Sequence, residues 1–183
     1  MEEKLKFFKE LNPKEKCQEL AKNYDIALEL EKISLSEYSP KIIQISEKLA
    51  RIIFSPLHIE ENGSIKPSAF EDVKDKGLSV HRLNYIDDEN IKMIGTSMVK
   101  IATENGRSPR TFAGYITVLT DEVYKLIENN KRLFAIYDTA TDKEPSHADI
   151  CAILLSSPNL TLSKKAANKQ RRKSLQKIFS KLI

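Results

Sequence analysis

Between Leu49 and Leu155, short β-branched runs alternate with turn signals and a single long helical period. This irregular alternation limits the fold more than any other feature of the chain. Gly77–Leu83 (GLSVHRL), Thr111–Leu119, Leu133–Tyr137 and Ala148–Leu155 read as strands by their period of two and β-branched content. Asn62-Gly63, two residues tolerant of positive φ, predicts a hairpin from Leu57–Glu60 to Ser64–Lys66. Ile91, Ile94, Met98 and Ile101 recur at threes and fours and predict a helix from Asp87 to Asn105, with Gly106 as its stop. Thr120 caps a further helix expected to run through Asn129. Leu49–Phe54 is either a strand or the end of a preceding helix, because Ile52 continues the spacing of Ile42, Ile45 and Leu49. The order predicts an α+β fold: a mixed, largely antiparallel sheet with helices on one face, rather than a regular doubly wound sheet.

Two flanking regions complete the expected organisation: a helical segment over 1–48, the α+β domain over 49–158, and a basic helix over 159–183. In the first, Glu2–Glu10 reads as a short helix. Asn12-Pro13-Lys14-Glu15 has the chemistry of a helix start, followed by Cys17, Leu20, Ala21, Tyr24, Ala27 and Leu28 at helical spacing. A third helix is expected near Pro40, with Ile42, Ile45 and Leu49 as its stripe. In the last region, Ser163 can cap a helix to Leu182, whose apolar stripe is Leu175, Ile178, Phe179 and Leu182.

With 183 residues, 40% apolar and 31% charged, the chain has the means to bury a core. No run of 18 apolar residues exists, and the opening MEEKLKFFKE lacks the apolar stretch of a secretory signal. Cys17 and Cys151 are too few and too far apart for a disulfide framework or a zinc site. The expectation is a cytoplasmic protein. Glycine-rich nucleotide loops, HExxH, CxxC and GxSxG are all missing, which excludes the families that rely on them.

Charge is concentrated. No acidic residue follows Asp149, while Lys164, Lys165, Lys169, Arg171, Arg172, Lys173, Lys177 and Lys181 follow it. Taking these eight from the net charge of +4 leaves the rest of the chain at −4. A basic tail on a mildly acidic body points to an acidic partner, either nucleic acid or an acidic protein. The pattern also suits an anionic membrane surface, or a helix docked on its own core with a solvated charged face.

Strand alternation sorts the histidines. His147, Asp149 and Cys151 oppose the apolar set Ala148, Ile150, Ala152 and Leu154; Ser79 and His81 oppose Leu78 and Val80. Arg51 opposes Ala50, Ile52 and Phe54, and Tyr115 opposes Phe112, Ile116 and Val118. In one sheet, the polar face would gather Arg51, Ser79, His81, Tyr115, His147 and Asp149. Two imidazoles can act as general acid and base, Arg51 can hold a phosphate, and Asp149 can orient an imidazole. The plainer reading is the solvated face that any antiparallel sheet presents. His147-x-Asp149 with His81 is too loose a set to expect a metal, and no cofactor is expected. Cys17 lies on a helix stripe and Cys151 between Ile150 and Ala152, so both thiols are expected in the core. Ser79 and Arg82 read as ligand contacts or as a solvent-facing strand end.

Arg51 with His58, Pro67-Ser68-Ala69-Phe70, Gly77-Leu78-Ser79-Val80 and His147-Ala148-Asp149-Ile150 resemble a pattern found in a group of small uncharacterised bacterial proteins. The resemblance covers about 100 residues, Arg51 to Ile150, and implies no residue roles, because the group carries no established activity. The expected function is a binding or accessory protein that engages nucleic acid or a larger assembly through the basic tail. The alternative is a metal-independent enzyme acting on a phosphodiester or nucleotide, with Arg51, Ser79, His81, His147 and Asp149 at its site.

Overall fold

A computed structural model describes residues 2–154 and 163–183. Leu155 at the end of the last expected strand, the expected boundary between 158 and 159, and the Lys164 side chain lie outside the described residues. Among the described residues, no helix is long and apolar enough to cross a membrane.

The N-terminal segment forms α1 (Glu2–Glu10), α2 (Lys16–Lys22) and α3 (Tyr24–Leu30). The single helix expected after Asn12 is two, broken at Asn23, whose φ of −128° and ψ of 64° leave the helical region. The helix expected near Pro40 does not form. Side chains hold that stretch as a loop instead: the Glu47 carboxylate accepts the Gln44 amide (2.8 Å) and Arg82 Nη1 donates to Lys41 O (2.7 Å). Leu49–Phe54 is therefore strand, part of β1 (Lys48–Ser55).

The Asn62-Gly63 turn forms, with φ of 83° at Gly63 and one bridge between Ile59 and Ile65. A 3₁₀ segment, Pro67–Lys74, leads to β2 (Leu78–Arg82) and α4 (Asp88–Glu104), which Asp87 caps through the Asn90 amide. Then come β3 (Thr111–Leu119) and α5 (Thr120–Tyr124). The helix expected through Asn129 stops at Tyr124. Asn129 and Asn130 take φ of 50° and 61°, which turns the chain from β4 (Ile127–Glu128) into β5 (Lys131–Arg132). Next follow β6 (Phe134–Asp138), β7 (His147–Ala152) and, after the undescribed stretch, α6 (Lys164–Ile178).

The main sheet has order β3-β1-β2-β7-β6, every pairing antiparallel. The fold is thus α+β. Ala50 pairs with His81, Ser79 with Asp149, and Tyr137 with Asp149. One face carries Leu49, Ile53, Val80, Ile116, Ile136 and Ile150 under the 3₁₀ segment and α6. The other carries two separate apolar patches: Ala50, Ile52, Phe54 and Tyr115 under α4, and Ala135, Tyr137 and Cys151 under α2 and α3. Helices therefore cover both faces, where one had been expected. The physical reason is register: alternation sorts residues within a strand, but only pairing decides which sets share a face.

α4 is rotated from its expected stripe. Ile91, Gly95 and Ala102 are buried, while Met98 and Ile101 face outward. The missing side chain at Gly95 admits the Phe112 ring, which an added Cβ would meet at 2.2 Å. At the C-terminus, Ser163 caps α6 through the Ala166 amide, and Leu175 and Phe179 are buried. The Phe179 ring lies 5.2 Å from that of Phe70. The helix ends at Ile178, short of the expected Leu182. The following residues extend along the outer edge of β3, with Ser180 N–H donating to Thr117 O (2.7 Å) and Ile183 N–H to Tyr115 O (2.9 Å). An otherwise bare sheet edge is covered this way.

Candidate functional site

Between the two helical covers, the central strands β2 and β7 lie open. β1 and β2 pair only at Leu49–Arg82 and Ala50–His81, and then part. The opening continues into a groove of about 400 Å³ that runs between α2 and α4. Arg51, Ser79, His81, His147 and Asp149, the five residues of the expected site, all line it. Tyr115 does not: it sits under α4, with its hydroxyl on Asp88 Oδ1 (2.6 Å). Arg82 is neither a ligand contact nor a solvent-facing strand end. It is fully buried and forked onto Glu47, through Nε to Oε2 (2.6 Å) and Nη2 to Oε1 (2.7 Å).

His81 and His147 face each other as a cross-strand pair, ring centroids 5.9 Å apart and edge to face. Nδ1 of His147 contacts Thr139 Oγ1 (2.9 Å) and Thr139 O (3.3 Å). The Thr139 hydroxyl donates its one proton to Asp149 Oδ2 (3.1 Å), and a carbonyl only accepts. Nδ1 of His147 must therefore carry the ring proton, which leaves Nε2 as a free lone pair in the neutral ring. Lys16 from α2 completes the chain of contacts, with Nζ 2.6 Å from the same Asp149 oxygen. Burial lowers the Lys16 pKa, but Asp149, together with Cys151 and Cys17, more than restores it, so the ammonium titrates above its ordinary value.

His81 is 4% exposed, and its Nδ1 lies 3.3 Å from Ser146 Oγ. Burial, helped by His147 and Arg51, pushes its pKa down to about 4. His58 also lines the groove. Its Nδ1 accepts the Phe54 amide (3.3 Å), so its proton is on Nε2; burial, with Arg51, Arg110 and Lys66, takes its pKa to about 4. Both rings are neutral at pH 7. Arg51 stands on the opposite face of β1 from Ala50, and Ala50 pairs with His81, so the expected common face does not include it; its Nη1 donates to Ser79 O (3.0 Å), while among the described residues its Nε is buried without a partner.

Five basic side chains line the groove, Lys16, Arg51, Lys76, Arg107 and Arg110, against two carboxylates, Asp72 and Asp149. This excess favours an anion. Gly77 closes one side with φ of 99°, and an added Cβ would stand 2.9 Å from that of Asp149, so glycine is required there. Lys16, Thr139, Asp72, Arg107 and Arg110 went unread in the sequence. They come from a helix start, the 3₁₀ segment and loops distant along the chain, and no spacing signals such a meeting. Among the described residues, no three His, Cys, Asp or Glu side chains are grouped to hold a metal ion. Cys17 and Cys151 are buried and reduced, as expected, and burial together with the neighbouring Cys151 raises the Cys17 thiol well above its ordinary range.

The basic tail lies elsewhere. Arg171 turns inward onto Leu154 O, and Arg172 is half-buried, with Nη1 3.6 Å from Glu71. Lys165, Lys169, Lys173, Lys177 and Lys181 are exposed. No protein-family model, curated protein or solved structure matches the chain, so the groove's own geometry carries the functional argument.

Proposed function

We propose that the chain is an enzyme acting on a phosphate ester, a phosphodiester or a nucleotide, in the groove between α2 and α4. The observation that carries this reading is the contact chain Lys16–Asp149–Thr139–His147, which sets the tautomer of His147 in a groove lined by four further basic side chains. His147 Nε2 takes a proton from the attacking water as its oxygen bonds to phosphorus. The bond to the leaving oxygen breaks, and the imidazolium returns the proton to that oxygen. Arg51, Arg107 and Arg110 compensate the negative charge that builds on the phosphoryl oxygens. The test is hydrolysis of bis(p-nitrophenyl) phosphate and of a nucleotide panel by the full chain and by His147→Gln. A rate loss of about a hundredfold with an unchanged melting temperature is expected. Full activity in the variant would remove the reading.

A second reading is favoured by the five exposed lysines of α6 and its extension, which make no ion pair among the described residues. The helix docks through Leu175 and Phe179 and keeps these charges in solvent, available to an acidic partner such as nucleic acid or a larger assembly.

A further inference from the structure

The groove is not uniformly polar. Besides Arg107 and Arg110, its lining includes Met98 and Leu57, each 42% exposed, and the buried Ile52 and Phe54. Inside a cation-lined groove these two side chains offer a surface that a half-apolar ligand can cover. A bare phosphate or a sugar phosphate has no part that this rim can cover. A volume of about 400 Å³ suits one small ligand, not an acyl chain or a folded polymer segment. Met98 is the adaptable kind of side chain that packs on a flat ring, and guanidinium groups hold phosphate oxygens in pairs.

We infer that the groove takes a single nucleoside phosphate, its base on Met98 and Leu57 over Phe54 and its phosphate on Arg107 and Arg110. This rests on the reading of the groove as a phosphate-ester site and adds the identity of the body that the phosphate carries.

Calorimetric titration of the full chain with adenosine 5′-monophosphate, ribose 5-phosphate and inorganic phosphate separates the two claims. The nucleotide is expected to bind at least about tenfold more tightly than ribose 5-phosphate, the scale of one base stacked on a side-chain platform. The exposed double variant Leu57→Ser/Met98→Ser should bring the two within about threefold by weakening only the nucleotide. Arg107→Gln/Arg110→Gln should weaken both sugar-bearing ligands by about tenfold or more. Equal binding of nucleotide and ribose 5-phosphate to the unaltered chain would overturn the base site and leave the phosphate-ester reading standing. Failure of all three at millimolar concentration would overturn both. A five-residue oligoadenylate binding more than tenfold tighter than the mononucleotide would overturn the single-nucleotide assignment.

Discussion

Arg82 and Glu47 show how little a residue's type says about its task. Both are charged, yet their side chains are 0% and 1% exposed and bound to each other at two points. Such a pair contributes little net stability when intact, but removing one member strands a buried charge. Glu47→Ala is expected to cost about 3–5 kcal/mol, read as a shifted denaturant midpoint. Thr120 loses nothing directly, since it bonds to the Glu47 carbonyl. The two neutral histidines make a second case. His58 and His81 titrate near 4 in the folded chain and near 6.5 when unfolded. Between those values the unfolded chain binds more protons, so stability falls as the pH drops from 6.5 toward 4. The loss is at most about 3 kcal/mol per histidine. His81→Gln should flatten this part of the profile of melting temperature against pH, and an unchanged slope would show that His81 is not its source.

At the scale of elements, strands were legible and helix lengths were not. The period of two located β2, β3 and β6 within a residue and the start of β7 likewise, because alternate residues meet different surroundings along a strand; β7 ends at Ala152, short of the expected Leu155. Helical spacing misled near Pro40, where Glu47 and Arg82 take the loop's backbone groups, and around α5, where two asparagines at positive φ reverse the chain. On α4, Ile91 and Ile94 face the core as their spacing predicts but Met98 and Ile101 do not, since a glycine is invisible to hydrophobic periodicity yet decides how close Phe112 comes. The C-terminal extension along β3 depends on another glycine. Gly114 has φ of 130°, and an added Cβ would lie 2.2 Å from Ile183 O. Gly114→Ala should therefore release residues 180–183, read as faster carboxypeptidase trimming, while α6 keeps its helical signal.

For the whole molecule, the charge asymmetry is the property with the widest reach. Eight basic residues close the sequence, yet folding withdraws Arg171 and Arg172 and leaves five lysines outward. Lys165→Gln/Lys169→Gln/Lys173→Gln/Lys177→Gln should leave the fold intact, since none of these side chains packs inward. If α6 contacts duplex DNA, the variant lowers the slope of log binding constant against log salt by about 3–4. An unchanged slope would assign the tail to stability alone. The sequence by itself determined the α+β composition, most strand positions, the apolar stripe Leu175–Phe179 at the end of α6 and the alternation that put Ser79 and His81, and His147 and Asp149, on the same sides of their strands. These are local consequences of side-chain period, and period is written in the chain. Only the tertiary structure decided that β1 and β2 part beyond Ala50, that helices cover both faces, and that Lys16 and Thr139 join Asp149 and His147. Register and long-range packing depend on which surfaces meet, and no spacing between residues 16 and 149 encodes that meeting.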